Sequence, residues 1–573
     1  MSAGNNALLR CAASFPPGRV TRPPERADVQ HTSFLRRKAV PGLAALALAA
    51  SLAAPASATA APAPAPTPLA PAVVARDVVT MGVSELQALL QQGRVTSVQL
   101  VQAYTNRIKA YEDAYAGQPG VNAVITTSRT ALAEARKLDA ERKAGKVRGA
   151  LHGIPVLVKD NYDTGDMPTT SGSVALKDFR PADDATQVAK LRAAGAIVVA
   201  KTNLHEYAAG ITSISSLGGQ TRNPFDQTRN PGGSSGGTGA GIAASFAAIG
   251  LGSDSCGSIR IPAAQNSLVG LRPTLGLSSR DGIAPMSATQ DVGGPIGKSV
   301  RDVALVMDAT AGYDPKDPVT AASLGQVPKS YTSSLQGRAL KGKRVGLLTD
   351  LLGTTPDELP TTTLVRQATT DMSRAGAYVV EVPNQPELVK AISASGVIAD
   401  EMERDLNRYL AQPGAKFDKA LAARVAPANK LTIADIVDSG EVTPSVLTFL
   451  RSLVGTSGPD DVYTGRLLAR QQLQQLTREL MEAYDLDALV YPTIKQVART
   501  IGEAQPGSNC GLSAQTGFPA LTVPAGLTPA GMPVGVELLG LPFSEPSLLG
   551  MGYSYEQLTH HHAVPASTPA LRR

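Results

Sequence analysis

The stretch 230–263, NPGGSSGGTGAGIAASFAAIGLGSDSCGSIRIPA, is about half Gly, Ser and Thr, and it closes on Arg260 and Pro262. A hydroxyl becomes a nucleophile when a neighbouring base takes its proton. Glycine, with no Cβ, lets backbone N–H groups come close to an anion. Three motifs compete for these residues. A phosphate-binding P-loop needs a lysine after its last glycine, and no GxxxxGK[ST] occurs. Gly239-Ala240-Gly241-Ile242-Ala243-Ala244 fits GxGxxA, yet a turn, Arg229-Asn230-Pro231-Gly232, stands where a dinucleotide motif requires a strand. Gly233-Ser234-Ser235-Gly236-Gly237 fits GxSxG, which would make Ser235 the nucleophile, but that elbow wants a strand before it and a histidine after it. His152 and His205 come too early, and His560, His561 and His562 form a run that reads as a solvated tail.

What remains is a serine activated by a base other than histidine. A lysine can serve if burial lowers its pKa enough to leave the amine neutral. Lys159 ends the apolar run GIPVLV and so projects from the end of a buried strand; Lys201, in AKTN, has the same local look, and position alone does not choose between them.

These motifs together resemble the amidase signature family of serine hydrolases. The resemblance is carried by GGSSGGTGAGIAASFAAIGLGSDSCGSIRIPA and GLRPTLG, by LHGIPVLVKDNYDTGDMPTTSGS and AGAIVVAKTN upstream, and by DVGGPIGKSVRDVALVMDA, DALVYPT and TGFPALTVPAG downstream, over roughly residues 80–555. It implies a Ser-cisSer-Lys triad of Lys159, Ser234 and Ser258, with Ser258 the nucleophile and Ser234 following a cis peptide bond; the two serines stand 24 positions apart, as in the family. It further implies an oxyanion hole from the N–H groups of Ser255, Cys256, Gly257 and Ser258, supporting roles for Ser235, Asp254 and Arg260, a bracing role for Asp291, and a structural one for Lys201. Cys256 departs from the family, where glycine is commoner. The implied activity is hydrolysis of a carboxamide to a carboxylate and ammonia or an amine, with the motifs most similar to exported bacterial peptide amidases and C-terminally amidated peptides as the implied substrates. A general aliphatic or aryl acylamidase, an esterase on the same scaffold and an inactive scaffold that only binds are the alternatives. No metal or organic cofactor is implied, because no Cys/His/Asp cluster has ligand spacing. The expected partner is a small-molecule or peptide amide, with no nucleic acid and no stable membrane span.

The elements that must position these residues read as α/β. Short apolar runs at 154–158, 196–200, 345–348, 378–382, 488–491, 521–523 and 534–538 alternate with helical or polar stretches. The expectation is an amidase signature fold, a mixed β-sheet core covered by helices on both faces, with a variable helical cap. Residues 84–111 read as two helices broken at Gly93, and 386–410 and 462–484 as long helices. The amidase domain is placed at 76–560, with its signature core at about 150–310, its cap at about 325–475 and a tail at 561–573. With 43% hydrophobic and 18% charged residues and no Trp, the core must be built from Ala, Val, Leu and Ile.

The net charge of +6 does not describe the folded part, because residues 1–60 carry seven basic residues against Glu25 and Asp28. A nucleic-acid surface is therefore not indicated. Arg36-Arg37-Lys38, the apolar run 39–54 and Ala56-Ser57-Ala58 read as an export signal cleaved near Ala58 to Ala60, followed by an Ala/Pro-rich linker at 61–75. Export to the periplasm or outside the cell is the expected localisation. Cys256 and Cys510, which would remain after cleavage, are too few for a disulfide framework; sequence leaves open whether they pair.

Overall fold

The computed structural model describes residues 78–417, 431–456 and 458–571. The expected export signal, its expected cleavage site and the expected linker at 61–75 lie outside the described residues.

The described residues begin with two helices, Val83–Gln91 and Ser97–Tyr111. Gly93 separates them at φ +66°, where nothing would meet a Cβ but any other residue would be strained. The second helix starts on a capping box: Gln99 N–H donates to Thr96 Oγ1 at 3.1 Å, and Thr96 N–H to Gln99 Oε1 at 2.9 Å.

Among the described residues thirteen strands follow. In chain order they are β1 (Val124–Thr127), β2 (Pro155–Lys159), β3 (Ile197–Thr202), β4 (Ile214–Ser215), β5 (Gly219–Gln220), β6 (Ile249–Asp254), β7 (Val269–Arg272), β8 (Val292–Gly297), β9 (Arg344–Leu348), β10 (Tyr378–Val382), β11 (Ala488–Pro492), β12 (Ala520–Leu527) and β13 (Pro533–Leu539). β4 and β5 form a small hairpin, and the other strands form one 11-stranded sheet in the order β1-β3-β2-β6-β8-β7-β12-β13-β11-β9-β10. β2 runs parallel to β3 and β6, while β8 is antiparallel to both β6 and β7, so the sheet is mixed. β2 and β6 therefore end, and β8 begins, at the same edge of the sheet.

Both faces are covered, because side chains alternate along each strand. Val156 and Val158 of β2 join one cluster with Leu86 and Val306, whereas Leu157 joins Ala240, Ile242 and Ile259 on the other side. Val345 and Leu347 of β9 pack with Val365 and Leu548, and Leu348 with Leu473 and Met481. This is the α/β fold expected.

Three differences from the sequence reading have physical causes. β6 and β8, sequences IGLGSD and VGGPIG, do not read as strands, because their glycines answer to neighbours distant in sequence: a Cβ on Gly250 would lie 2.7 Å from Thr238 Cγ2, and one on Gly294 2.5 Å from the Leu271 carbonyl oxygen. The helix expected at 386–410 is two, Pro386–Ala394 and Ile398–Leu410. It breaks where Ser395 Oγ turns back to the Ala391 carbonyl at 2.7 Å and Val397 N–H goes instead to Gln290 Oε1 at 2.8 Å. Nor is the C-terminal tail wholly solvated: His560 and Val564 are exposed, but Arg107 donates to the carbonyls of Thr568 and Pro569 at 2.7 and 2.8 Å, and His562 Nδ1 lies 2.6 Å from the Ser267 carbonyl. Within 325–475, β9 and β10 belong to the main sheet, and the helices Ile398–Leu410, Ile433–Ser439 and Pro444–Leu453 pack over Leu176 and Phe179.

Candidate active site

Lys159 is the last residue of β2, and all five residues of that strand are buried. Its Nζ lies 2.7 Å from Ser234 Oγ and 2.8 Å from Ser253 Oγ. Asn161 Nδ2 donates to the same Ser253 hydroxyl at 3.0 Å. No carboxylate touches the amine. Burial lowers its pKa from 10.5 to about 7, and the more distant Asp254 and Asp291 oppose this without cancelling it.

Ser234 follows a cis peptide bond from Gly233. Its carbonyl accepts from His205 N–H at 3.0 Å, and the next residues enter the helix Gly236–Ala243. Ser258 sits after the turn that leaves β6, just before the helix Arg260–Gln265. Its carbonyl accepts from Ser235 N–H at 3.2 Å, which ties the two serine loops together. Ser258 Oγ has no hydrogen-bond partner among the described residues, Ser234 Oγ included.

The turn between β6 and Ser258 is held from below by charge. Asp254 accepts from Gly257 N–H at 2.7 Å and Ile259 N–H at 3.2 Å. Arg260 Nε and Arg272 Nη1 each reach its carboxylate at 3.0 Å. Burial alone would push the Asp254 carboxyl up, but the two guanidiniums outweigh it and hold it well below the usual carboxylate range. Arg260 also pairs with Glu537 at 2.5 Å, which accepts from Tyr491 Oη at 2.9 Å. Two buried cations thus meet two buried anions, the condition under which such charges are tolerated. From the other side, Asp291 accepts from Ser255 Oγ and from the N–H groups of Met286 and Ser287 at 2.7 and 2.9 Å, and Gln290 Nε2 donates to the Ser255 carbonyl at 3.1 Å.

The four amides expected to form an oxyanion hole are not equivalent. Gly257 N–H is committed to Asp254 and so is not available to a substrate oxygen. The N–H groups of Ser255, Cys256 and Ser258 have no acceptor among the described residues. Cys256 is joined to Cys510 in a disulfide, with Cα atoms 4.9 Å apart.

Lys201 is not brought to the serines. It pairs with Asp160 at 3.0 Å, both fully buried, and donates to the Pro168 carbonyl at 3.0 Å. His205 Nδ1 accepts from Thr212 and Ser213 N–H, each at 3.2 Å, and burial, with Lys159 adding to it, lowers its pKa to about 4. It is no base for Ser235, whose hydroxyl faces the Ser253 carbonyl at 3.3 Å. Sequence reasoning missed Ser253, Asn161, Arg272, Gln290 and Glu537. Ser253 would have been found had β6 been recognised, since it precedes Asp254 at that strand's end. At the same sheet edge a cavity of about 240 Å³ opens beside Asp291, walled by Ile283, Val292 and Tyr409 and by the cations Arg280 and Arg408. Among the described residues no group of three His, Cys, Asp or Glu could hold a metal ion, and no helix is long and apolar enough to cross a membrane.

A mixed sheet that brings a buried lysine, a serine after a cis bond and a second serine to one edge defines a class of serine hydrolase. The family profile described as Amidase matches residues 99–549. The chain is 39% identical to the native peptide amidase of Stenotrophomonas maltophilia, whose solved structure superposes with a TM-score of 0.75 over 85% of this chain and 98% of that one. An amidase family protein of Bacillus anthracis superposes with a TM-score of 0.74 at 30% identity, over 86% of this chain and 94% of that one. A glutamyl-tRNA(Gln) amidotransferase subunit of Symbiobacterium thermophilum is 36% identical over 504 residues, 85% of this chain and 99% of that protein. The chain belongs to the amidase signature family and is an amidase, an enzyme acting on amide C–N bonds.

Proposed function

We propose that this amidase cleaves a carboxamide to a carboxylate and ammonia through an acyl-enzyme on Ser258, with Ser234 passing protons between Ser258 and Lys159. The observation that carries the reading is the buried Lys159 amine, 2.7 Å from Ser234 Oγ with a pKa brought to about 7. A neutral amine has two N–H groups and one lone pair, so it can donate to Ser253 Oγ while accepting the Ser234 proton. Ser234 then takes the proton of Ser258, whose Oγ attacks the amide carbonyl carbon. The oxygen that becomes negative is met by the N–H groups of Ser255, Cys256 and Ser258, each such donor being worth about 2.7–4 kcal/mol in comparable sites. The proton returns from Lys159 through Ser234 to the amide nitrogen, the C–N bond breaks and ammonia leaves. Water then gives a proton to the same relay and attacks the ester carbonyl; the proton returns from Lys159 through Ser234 to Ser258 Oγ as the acyl C–O bond breaks and the carboxylate leaves.

We assign C-terminally amidated peptides as substrates, their acyl side lying in the cavity beside Asp291. The 39% identity to a peptide amidase supports this, as do cavity walls that mix apolar and charged groups suited to a peptide. The likeness to an amidotransferase component favours a second reading, in which ammonia taken from an amide is passed to a partner. The export signal expected from the sequence speaks against it. So does the Cys256–Cys510 bond, since disulfides persist in oxidising compartments and are rare in the cytosol.

Ammonia release from an amidated dipeptide, a simple aliphatic amide and free glutamine, with Ser258→Ala as the blank, separates the readings. Release mainly from the dipeptide is expected. Release mainly from glutamine, stimulated by partner proteins, would replace this reading with the second; release mainly from the aliphatic amide would make the chain a general amidase. Ester turnover without amide turnover would make it an esterase. Export predicts a mature N-terminus near Ala58 to Ala60, read by N-terminal sequencing of the chain from fractionated cells.

A further inference from the structure

We propose that Cys510 is a positioning residue for the reaction, acting through its disulfide to hold the Cys256 amide in the oxyanion hole, so that reduction of this bond lowers turnover without unfolding the enzyme. The inference rests on the reading of Ser258 as nucleophile.

Each residue of the oxyanion turn has its own anchor. Ser255 is fixed by Asp291 through its hydroxyl and by Gln290 through its carbonyl. Gly257 is fixed by Asp254, and Ser258 by Ser235. Cys256 has no hydrogen bond among the described residues, and its one anchor is covalent. Its amide stands between those of Ser255 and Ser258, where a carbonyl oxygen would be received.

The far end of the clamp is rigid. Cys510 caps the helix Gly511–Thr516, and its carbonyl accepts from Ala514 N–H at 3.1 Å and from Arg260 Nη2 at 3.2 Å. The residue before it, Asn509, donates to the carbonyls of Leu351 at 2.9 Å and Pro492 at 2.7 Å. Packing is close, because a Cβ on Gly257 would lie 3.0 Å from Cys510 Cβ. The bond thus joins the catalytic turn to a wall 254 residues away in sequence.

Both cysteines are only half-buried, so a small dithiol can reach the bond in the folded enzyme. One thiolate of the reagent attacks a cysteine sulfur and breaks the Cys256–Cys510 bond. Its second thiol then closes the reagent into a cyclic disulfide. Two electrons and two protons pass to the protein, leaving two free thiols.

The test compares the full chain as oxidised, reduced by dithiothreitol and reoxidised, with Cys510→Ser and Cys256→Ser beside it. Thiol titration counts the two new thiols, and near-UV circular dichroism reports the fold. Loss of one well-placed donor costs about 100- to 1000-fold in kcat, and a loosened one less, so a fall in kcat of about tenfold or more with KM within about twofold is expected. Reoxidation should restore the wild type, and Cys510→Ser should start at the lowered kcat and ignore dithiothreitol. Unchanged kcat in fully reduced enzyme would overturn the proposal. So would a loss of activity that tracks loss of the circular dichroism signal, because the bond would then be a general staple. Ser258→Ala in the same assay keeps the two readings apart: activity surviving that substitution refutes the nucleophile, whereas its loss together with redox-insensitive wild type refutes the clamp alone.

Discussion

On the proposed mechanism, the amine of Lys159 sets the pH at which this enzyme works. Its pKa moves from 10.5 to about 7 because the folded chain buries it without a carboxylate in contact. At pH 7 about half the molecules then hold a neutral amine, whereas an ordinary lysine would be neutral in only about 1 in 3000. The fold therefore raises the competent fraction at neutral pH roughly a thousandfold. Values of kcat/KM for ammonia release, measured from pH 5 to 10 at constant ionic strength, should be level above about pH 8 and fall about tenfold per unit below about pH 6. Asp254 and Asp291 both act to raise this pKa, so Asp291→Asn should move the acid limb to lower pH. A rate still climbing tenfold per unit through pH 9, or one flat from pH 5 to 10, would refute Lys159 as the base. Stability carries the same sign: between about pH 7 and 10.5 the unfolded chain binds a proton that the folded chain does not, so the Lys159 contribution grows as pH rises across that window and is least below it.

Ser258→Ala should lower kcat by about six orders of magnitude and abolish the acyl adduct seen by mass spectrometry of quenched reactions. Ser234→Ala, which removes the relay but not the nucleophile, should cost about 100- to 10,000-fold in kcat. Lys201→Met leaves Asp160 buried without its partner and should cost about 3–5 kcal/mol in urea unfolding, while the enzyme that remains folded keeps the acid limb near the same pH. Asp254→Asn strips the shared carboxylate from Arg260 and Arg272 and should likewise cost about 3–5 kcal/mol by the same measurement; kcat should fall with it, because the Gly257 and Ile259 N–H groups donate to different carboxylate oxygens and the asparagine keeps only one of them.

Much of the site is legible in the sequence because its parts are local in the chain. The run ending in Lys159 marks a buried strand end, and the crowding of glycine with Ser234, Ser235 and Ser258 marks a place where backbone must come close. Patterning also places most of the sheet, since β9, β10, β11 and β13 alternate or run apolar as strands between helices do. Chain order sets aside only His152 and His205 as the base for Ser235, since His560, His561 and His562 follow it. What only the tertiary structure decides is which groups meet across the sheet. β6 and β8 are strands because their glycines fit under Thr238 and Leu271, a fit that no local propensity encodes. Lys159 and Lys201 end neighbouring parallel strands with the same local look, yet one meets two serine hydroxyls and the other a buried aspartate. That difference in partner leaves one amine with a lowered pKa and makes the other half of an ion pair. Gly257 N–H is taken by Asp254, and Cys256 is bonded to a cysteine 254 positions on. A sequence determines which residues can do chemistry; burial and contact, which depend on the whole chain folding at once, determine which of them do.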